Sequence, residues 1–202
     1  MHIALCGAGG TGKGTIATKL EEEEKYLFLK SPVEYFTKLM FPEAKNYQDI
    51  PFLNKIQEQY AVVTAEMMQE QMRRDNDYVA ERSVFDFLPY TYQALQREYK
   101  TDTTRIELSY SKYRNYVYRY LEREKPYDVI FFFPIEFDPE DKTINSWKER
   151  DAMARVKTQR FLEAELKKVS DDIPVFVIHG TVEERLLQIK QALVPLCLGL
   201  NT

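Results

Sequence analysis

Short apolar runs punctuate the chain at Ile3 to Cys6, Tyr26 to Leu29, Asp77 to Ala80, Val129 to Phe133 and Val175 to Ile178. Between them, Lys13 to Glu23, Phe52 to Arg74, Val84 to Tyr99, Arg105 to Glu122, Asp151 to Val169 and Val182 to Leu193 repeat apolar residues three and four apart, which predicts helices. Strands and helices in alternation predict an α/β fold, a doubly wound five-stranded parallel sheet in a three-layer α/β/α arrangement, rather than a meander. Two stretches break the rhythm: Phe41 to Pro51, with Pro42, Asn46 and Pro51, and Pro134 to Trp147, rich in Pro, Asp and Glu. Both read as loops, and loops at one end of an α/β sheet often carry function.

A chain of 202 residues holds one such domain with a sizeable core, so residues 1–202 are expected to form a single unit. Its formal charge of −4 argues against a nucleic-acid partner, leaving room only for a local basic groove. No apolar run reaches the roughly 18 to 20 residues a bilayer span requires, and Met1-His2-Ile3 lacks the layout of a signal peptide, so no membrane partner and a cytoplasmic location are expected. Cys6 and Cys197 supply neither a disulfide framework nor a CxxC metal site, and His2 and His179 read as structural residues at the edges of apolar runs. The acidic run Glu21 to Glu24 opposes the helix dipole at a helix end and reads as solvated surface.

The strongest chemical signal is Gly7-Ala8-Gly9-Gly10-Thr11-Gly12-Lys13-Gly14-Thr15, set between the first strand and the first helix. Glycines turn successive amides inward to make an anion-binding nest, and the helix that follows points its positive end at the same place. This context is that of a phosphate loop, in which Gly9, Gly10, Thr11, Gly12, Lys13, Gly14 and Thr15 bind ATP and Lys13 reaches the β and γ phosphates. The usual Ser or Thr directly after the lysine is replaced by Gly14, which leaves Thr15 as the candidate magnesium ligand. The Gly-Lys-Gly-Thr ending resembles nucleoside monophosphate kinases of the adenylate kinase type.

A second signal, Glu81-Arg82-Ser83, closes the third apolar run and precedes Val84 to Tyr90. Strand carboxyl ends face the ligand crevice in a doubly wound sheet, so Glu81 is placed to hold magnesium or its water and Arg82 to clamp a phosphate. With the phosphate loop, this element resembles that of deoxynucleoside kinases and ribosylnicotinamide-kinase-like P-loop proteins, and more loosely the Asp-Arg element of thymidylate kinases. In such kinases basic lid residues stabilise the transferring phosphoryl group. Spacing of three, four and seven puts Lys148, Asp151 and Arg155 on one helical face, where Asp151 and Arg155 also stand as an ordinary i,i+4 pair. The resemblance implies a mobile lid over about 134–155, so that Lys13, Arg82, Arg150 and Arg155 are the catalytic candidates. It also implies that Gly180 and Thr181 pack beside the adenine ring, although Thr181 and Glu184 stand in capping-box register.

For the acceptor, Lys30-Ser31-Pro32-Val33-Glu34-Tyr35-Phe36 resembles the Glu-Pro-Val stretch where deoxynucleoside kinases place a general base, with Ser31 standing in the acid's place. Serine does not take a hydroxyl proton at neutral pH, leaving Glu34, Asp86 or Glu81. A phosphate monoester needs no base, which tilts the expectation toward a (deoxy)nucleoside monophosphate. The segment Phe52 to Arg74 offers Gln57, Gln59, Tyr60 and Gln69 beside Met67, Met68 and Met72 for a planar base, and the substrate candidates are Glu34, Arg82, Asp86 and Gln57. The expectation is an ATP- and Mg2+-dependent kinase of the P-loop nucleoside/nucleotide superfamily, with a nucleoside or nicotinamide riboside kinase, or a catalytically silent ATP-binding sensor, as alternatives. A GTPase is disfavoured because Asn54-Lys55-Ile56-Gln57 lacks the guanine-reading aspartate, and a motor ATPase because Val129 to Phe133 ends in Pro134. Homodimerisation is left open.

Overall fold

The computed structural model describes residues 1–43, 52–136 and 152–198. Its sheet comprises β1 (His2–Cys6), β2 (Leu27–Leu29), β3 (Tyr78–Ala80), β4 (Val129–Phe132) and β5 (Val175–Val177), all parallel in the order β2-β3-β1-β4-β5. The helices are α1 (Lys13–Glu24), α2 (Val33–Met40), α3 (Phe52–Met72), α4 (Phe87–Tyr99), α5 (Thr103–Glu124), α6 (Ala152–Val169) and α7 (Val182–Cys197). The expected α/β architecture is the one observed.

Strand alternation divides the core in two. Ala4, Cys6, Ile130 and Phe132 face Val62, Val63, Tyr113, Val117 and Leu162 of α3, α5 and α6. Ile3, Leu5, Val129 and Phe131 face Ile16, Leu20, Leu186 and Ile189 of α1 and α7. The centre of the sheet falls on β1, whose Ile3, Ala4, Leu5 and Cys6 have no exposed surface. Among the described residues no helix is long and apolar enough to cross a membrane.

Two elements differ from the sequence reading. Helix α2 occupies part of a stretch read only as a substrate motif; its signal is the spacing of Val33, Phe36, Thr37 and Met40, with Pro32 at the N-cap and an acid and a base in its first and last turns. The helix expected over Val84 to Tyr99 begins instead as a 3-10 turn, Val84–Asp86, because Ser83 and Asp86 close a capping box there and α4 starts only at Phe87.

This topology brings the carboxyl ends of β1, β2 and β3 to one edge. From β1 the chain winds to β2 and β3 on one side, then crosses to β4 and β5 on the other. The loop after β1 therefore lies at the switch point of the winding, where open α/β sheets form a crevice.

Candidate active site

The loop after β1 takes three residues with left-handed or otherwise positive φ, at Gly7 (149°), Gly10 (78°) and Gly12 (88°). A Cβ on Gly7 would stand 2.5 Å from the Phe133 carbonyl oxygen, so the passage of β4 adds a steric demand for glycine to the conformational one. The loop carbonyls are held by cations. Lys13 Nζ donates to the Gly7 and Ala8 carbonyls at 2.6 and 2.9 Å, Arg155 Nε to Gly9 at 3.0 Å, and Arg185 Nη1 to Thr11 at 2.6 Å. Lys13 is only 5% exposed, and burial lowers its pKa to about 8, with Arg82 pushing the same way and Asp86 opposing.

Asp86 corrects one expectation. Placed by sequence among the substrate contacts, it is fully buried and does not line the cleft. Its Oδ1 accepts from the Gly7 amide at 2.9 Å, and its Oδ2 accepts from the Ser83 amide and hydroxyl at 2.9 and 2.7 Å. The carboxylate thus ties the start of the phosphate loop to the end of β3.

The cleft has a volume of about 240 Å³ and is lined by the loop from Gly9 to Thr15, by Glu81 and Arg82 after β3, and by the α2 region. Glu81 Oε2 accepts from the Ser31 amide at 3.1 Å. Its Oε1 lies 3.0 Å from where a Cβ on Gly14 would stand, so a side chain at this position, where phosphate loops usually carry a hydroxyl, would displace the Glu81 carboxylate. The Arg82 guanidinium lies 5.8 Å from the Tyr90 ring centroid, at the cleft wall. Glu34 lines the cleft and pairs with Lys38 one turn on at 2.7 Å; the hydrogen bond from Lys38 holds its carboxyl below the ordinary value.

Gln57 is a second correction. It points to solvent and lies off the cleft, whereas Gln59, 3% exposed, lines it with Thr37, Phe87 and Tyr90. Two residues along a helix turn the side chain through about 200°, so of the two glutamines offered for a planar base Gln59 faces the cleft and Gln57 does not. Gly180 and Thr181, expected beside a base, spend their amides on Glu136 and Glu184, and the Thr181 hydroxyl caps α7 by accepting from the Glu184 amide at 3.3 Å. Neither lines the cleft. Arg155, expected on a lid, is 2% exposed in the first turns of α6 and packs on the loop backbone. Lys148, Arg150 and Asp151, and residues 137–151 of the expected lid, lie outside the described residues.

Residue chemistry fits a nucleotide with magnesium. The Thr15 hydroxyl and the Glu81 carboxylate both line the cleft. Among the described residues no cluster of three His, Cys, Asp or Glu forms a protein cage for a metal, and magnesium commonly binds through one or two carboxylates, water and the phosphates themselves. Lys30, Lys38, Arg185 and Glu136 were not singled out by sequence reasoning. The lysines had a signal in their placement beside the α2 motif; the Arg185 and Glu136 contacts had none, being made across 174 and 49 residues.

A comparison with curated proteins returns no match. Solved structures do match. Deoxyadenosine kinase from M. mycoides with bound dCTP aligns with a TM-score of 0.68 at 19% identity, covering 96% of this chain and 98% of that one. The same enzyme with bound dATP aligns at 0.65 and 16% identity, over 96% and 99% of the two chains. Thymidylate kinase from Candida albicans aligns at 0.57 and 13% identity, over 95% and 90%. A family model described as an AAA domain matches residues 2–185. That match spans the phosphate loop, the Glu81-Arg82 strand end and Arg185, so the chain belongs to the AAA domain family, with the fold of the P-loop nucleoside and nucleotide kinases.

Proposed function

We propose that the protein transfers the γ-phosphoryl group of ATP to a (deoxy)nucleoside monophosphate. The observation that carries this reading is the charge of the cleft. Lys13, Lys30, Lys38 and Arg82 line it against two carboxylates, Glu34 and Glu81. Both carboxylates are engaged, by Lys38 and by the Ser31 amide. A hydroxyl acceptor needs a base that takes its proton, and a carboxylate held below its ordinary pKa by a lysine is a weak one. A monophosphate acceptor is already ionised; it needs its charge neutralised and its oxygen aligned, which a cationic cleft supplies.

In this reading the loop amides and Lys13 hold the donor phosphates, and Arg82, steadied over Tyr90, clamps the phosphate between donor and acceptor. Lys30 and Lys38 bind the acceptor phosphate, while Gln59, Thr37 and Phe87 form the wall for its base. Glu81 and Thr15 would hold magnesium through oxygen or water, and the ion when bound would supply charge neutralisation at the phosphates. Lys13 and Arg82 stabilise the charge that develops during transfer, and Arg155 fixes the loop that carries it.

A second reading, a nucleoside acceptor with Glu81 as base, draws support from the similarity to a deoxyadenosine kinase over nearly the whole of both chains. ATP consumption with magnesium, measured against nucleosides, nucleoside monophosphates, nicotinamide riboside and a 5′-hydroxyl oligonucleotide with Lys13→Ala as control, separates the two. Turnover with monophosphates and none with nucleosides is expected. Turnover on nucleosides alone overturns the acceptor assignment, and ATP binding without turnover on any acceptor overturns the enzyme in favour of a sensor.

A further inference from the structure

Three loops at the carboxyl edge of the sheet, those after β1, β4 and β5, converge on one ion pair that belongs to no motif. Arg185, in the first turn of α7, is 2% exposed. Its Nη1 donates to the Thr11 carbonyl at 2.6 Å, its guanidinium lies 5.4 Å from the Phe133 ring centroid, and its Nη2 donates to Glu136, just after β4. Glu136 also accepts from His179 Nδ1 at 2.8 Å and from the Gly180 amide at 3.1 Å. Burial works against the charged carboxylate, yet the hydrogen bonds from Arg185, His179 and Gly180 hold its pKa below the ordinary value. Burying a guanidinium is costly unless it is paired, and Glu136 offsets part of that cost for Arg185.

We infer that Arg185 and Glu136 are positioning residues for the phosphate loop: by gripping the Thr11 carbonyl from below, the pair turns the Gly12 amide toward the cleft. The reason is the geometry of the peptide unit. A trans peptide sets its C=O and the following N–H on opposite sides, so a cation that draws the Thr11 oxygen to one side sends the Gly12 N–H to the other. Gly12 lines the cleft. A Cβ on Gly12 would stand 3.2 Å from Arg185 Nη1, so glycine at this position also makes room for the grip. Arg155 does the same two residues earlier, since its hold on the Gly9 carbonyl orients the Gly10 amide. The nest is thus set from outside by two buried arginines, and Glu136 links that setting to the segment after β4 and to the loop ahead of α7.

The consequence for ATP rests on the function proposed above; the consequence for the loop does not. The test uses the whole protein with Arg185→Gln, Glu136→Gln and the double variant. Its readouts are hydrogen exchange of the peptide covering 7–15 without nucleotide, the Kd for MgATP by calorimetry, and the KM for the acceptor. In Arg185→Gln, exchange across 7–15 is expected to rise while β4 keeps wild-type protection, and the Kd for MgATP to rise by about tenfold or more, the scale of a lost charged hydrogen bond. The acceptor KM is expected to stay within about twofold, a split that general destabilisation does not produce. Glu136→Gln should move both readouts in the same direction by less, and the double variant should match Arg185→Gln rather than the sum of the two. Wild-type exchange at 7–15 in a folded Arg185→Gln, or additive effects in the double variant, overturns the inference. If Arg185→Gln does not fold, Glu136→Gln, which keeps the arginine, decides by its exchange alone. A wild-type protein that binds no ATP ends the proposed function, while exchange still decides the positioning.

Discussion

Lys13 and Gly14 show how single positions trade stability against chemistry. Lys13 is buried with its pKa lowered from 10.5 to about 8. The unfolded chain therefore holds more protons than the folded one between those values, and the cost of keeping Lys13 buried and charged is present below about pH 8 and relieved as pH rises toward 10.5. Lys13→Met is accordingly expected to raise the melting temperature at pH 7 while abolishing ATP binding; a lower melting temperature would contradict the desolvation account. For the wild type, ATP affinity should fall as pH rises through about 8, approaching tenfold per pH unit, since the free protein then loses the cation that the phosphates require. Calorimetry from pH 7 to 10 reads this directly, and an affinity independent of pH would refute it. At Gly14, whose Cβ would stand 3.0 Å from Glu81 Oε1, Gly14→Ser restores the usual phosphate-loop hydroxyl but must push that carboxylate aside. Its expected effect is a higher magnesium requirement for turnover with little loss of stability, within about 1 kcal/mol because a flexible side chain gives way. An unchanged magnesium titration would remove Glu81 from the metal site.

At the scale of the element, α3 reverses the usual distribution of charge. Its Glu58, Glu66 and Glu70 are at most 1% exposed, whereas Met68 and Met72 are 55% and 77% exposed. Apolar residues on both faces blur the helical phase, which explains why the sequence offered Gln57 as well as Gln59 for a planar base. Burial pushes the Glu70 carboxyl up from 4.5 to about 8 even though Tyr127 and Tyr120 donate to it at 2.5 and 2.7 Å. Burial, with Glu70 adding to it, raises Glu66 well above the carboxylate range. The folded state thus retains protons that the unfolded chain releases above about 4.5, and the stability these groups contribute is present below that value and lost as pH rises through about 8. The melting temperature is expected to decline between pH 6 and pH 9. Glu66→Gln should flatten that decline and melt above the wild type at pH 9, by about 2 to 4 °C for a loss of strain near 1 kcal/mol. Equal slopes in the two proteins would show that Glu66 is ionised already.

For the whole molecule, winding and charge act together. The chain carries a formal charge of −4, yet Lys13, Lys30, Lys38 and Arg82 gather at the carboxyl edge of the sheet, so the cleft is of opposite sign to the protein around it. Such a cleft concentrates anionic ligands despite an acidic surface. Because the phosphate loop is tied to β3 by Asp86, to α6 by Arg155 and to α7 by Arg185, a ligand held there stabilises both cores at once. MgATP at about one hundred times its Kd should add about 2.7 kcal/mol and raise the melting temperature by several degrees. Lys13→Ala should show no shift; a shift of wild-type size in that variant would place the nucleotide elsewhere.

What the sequence by itself determined is local. Runs such as Ile3 to Cys6 declare buried parallel strands, and Gly7 to Thr15 declares an anion nest, because hydrophobic period and glycine's steric freedom act over a few neighbouring residues. Glu81-Arg82 followed at the end of its strand by the same logic. Only the tertiary structure decided that Asp86 turns inward to the Gly7 amide, that Gln59 rather than Gln57 faces the cleft, and that Arg155 and Arg185 hold the loop from beneath. Those outcomes depend on the rotation of one helix against a sheet and on hydrogen bonds between residues as far apart as Thr11 and Arg185. A contact across 174 residues leaves no spacing for a sequence to repeat, since its geometry exists only once the strands between have paired.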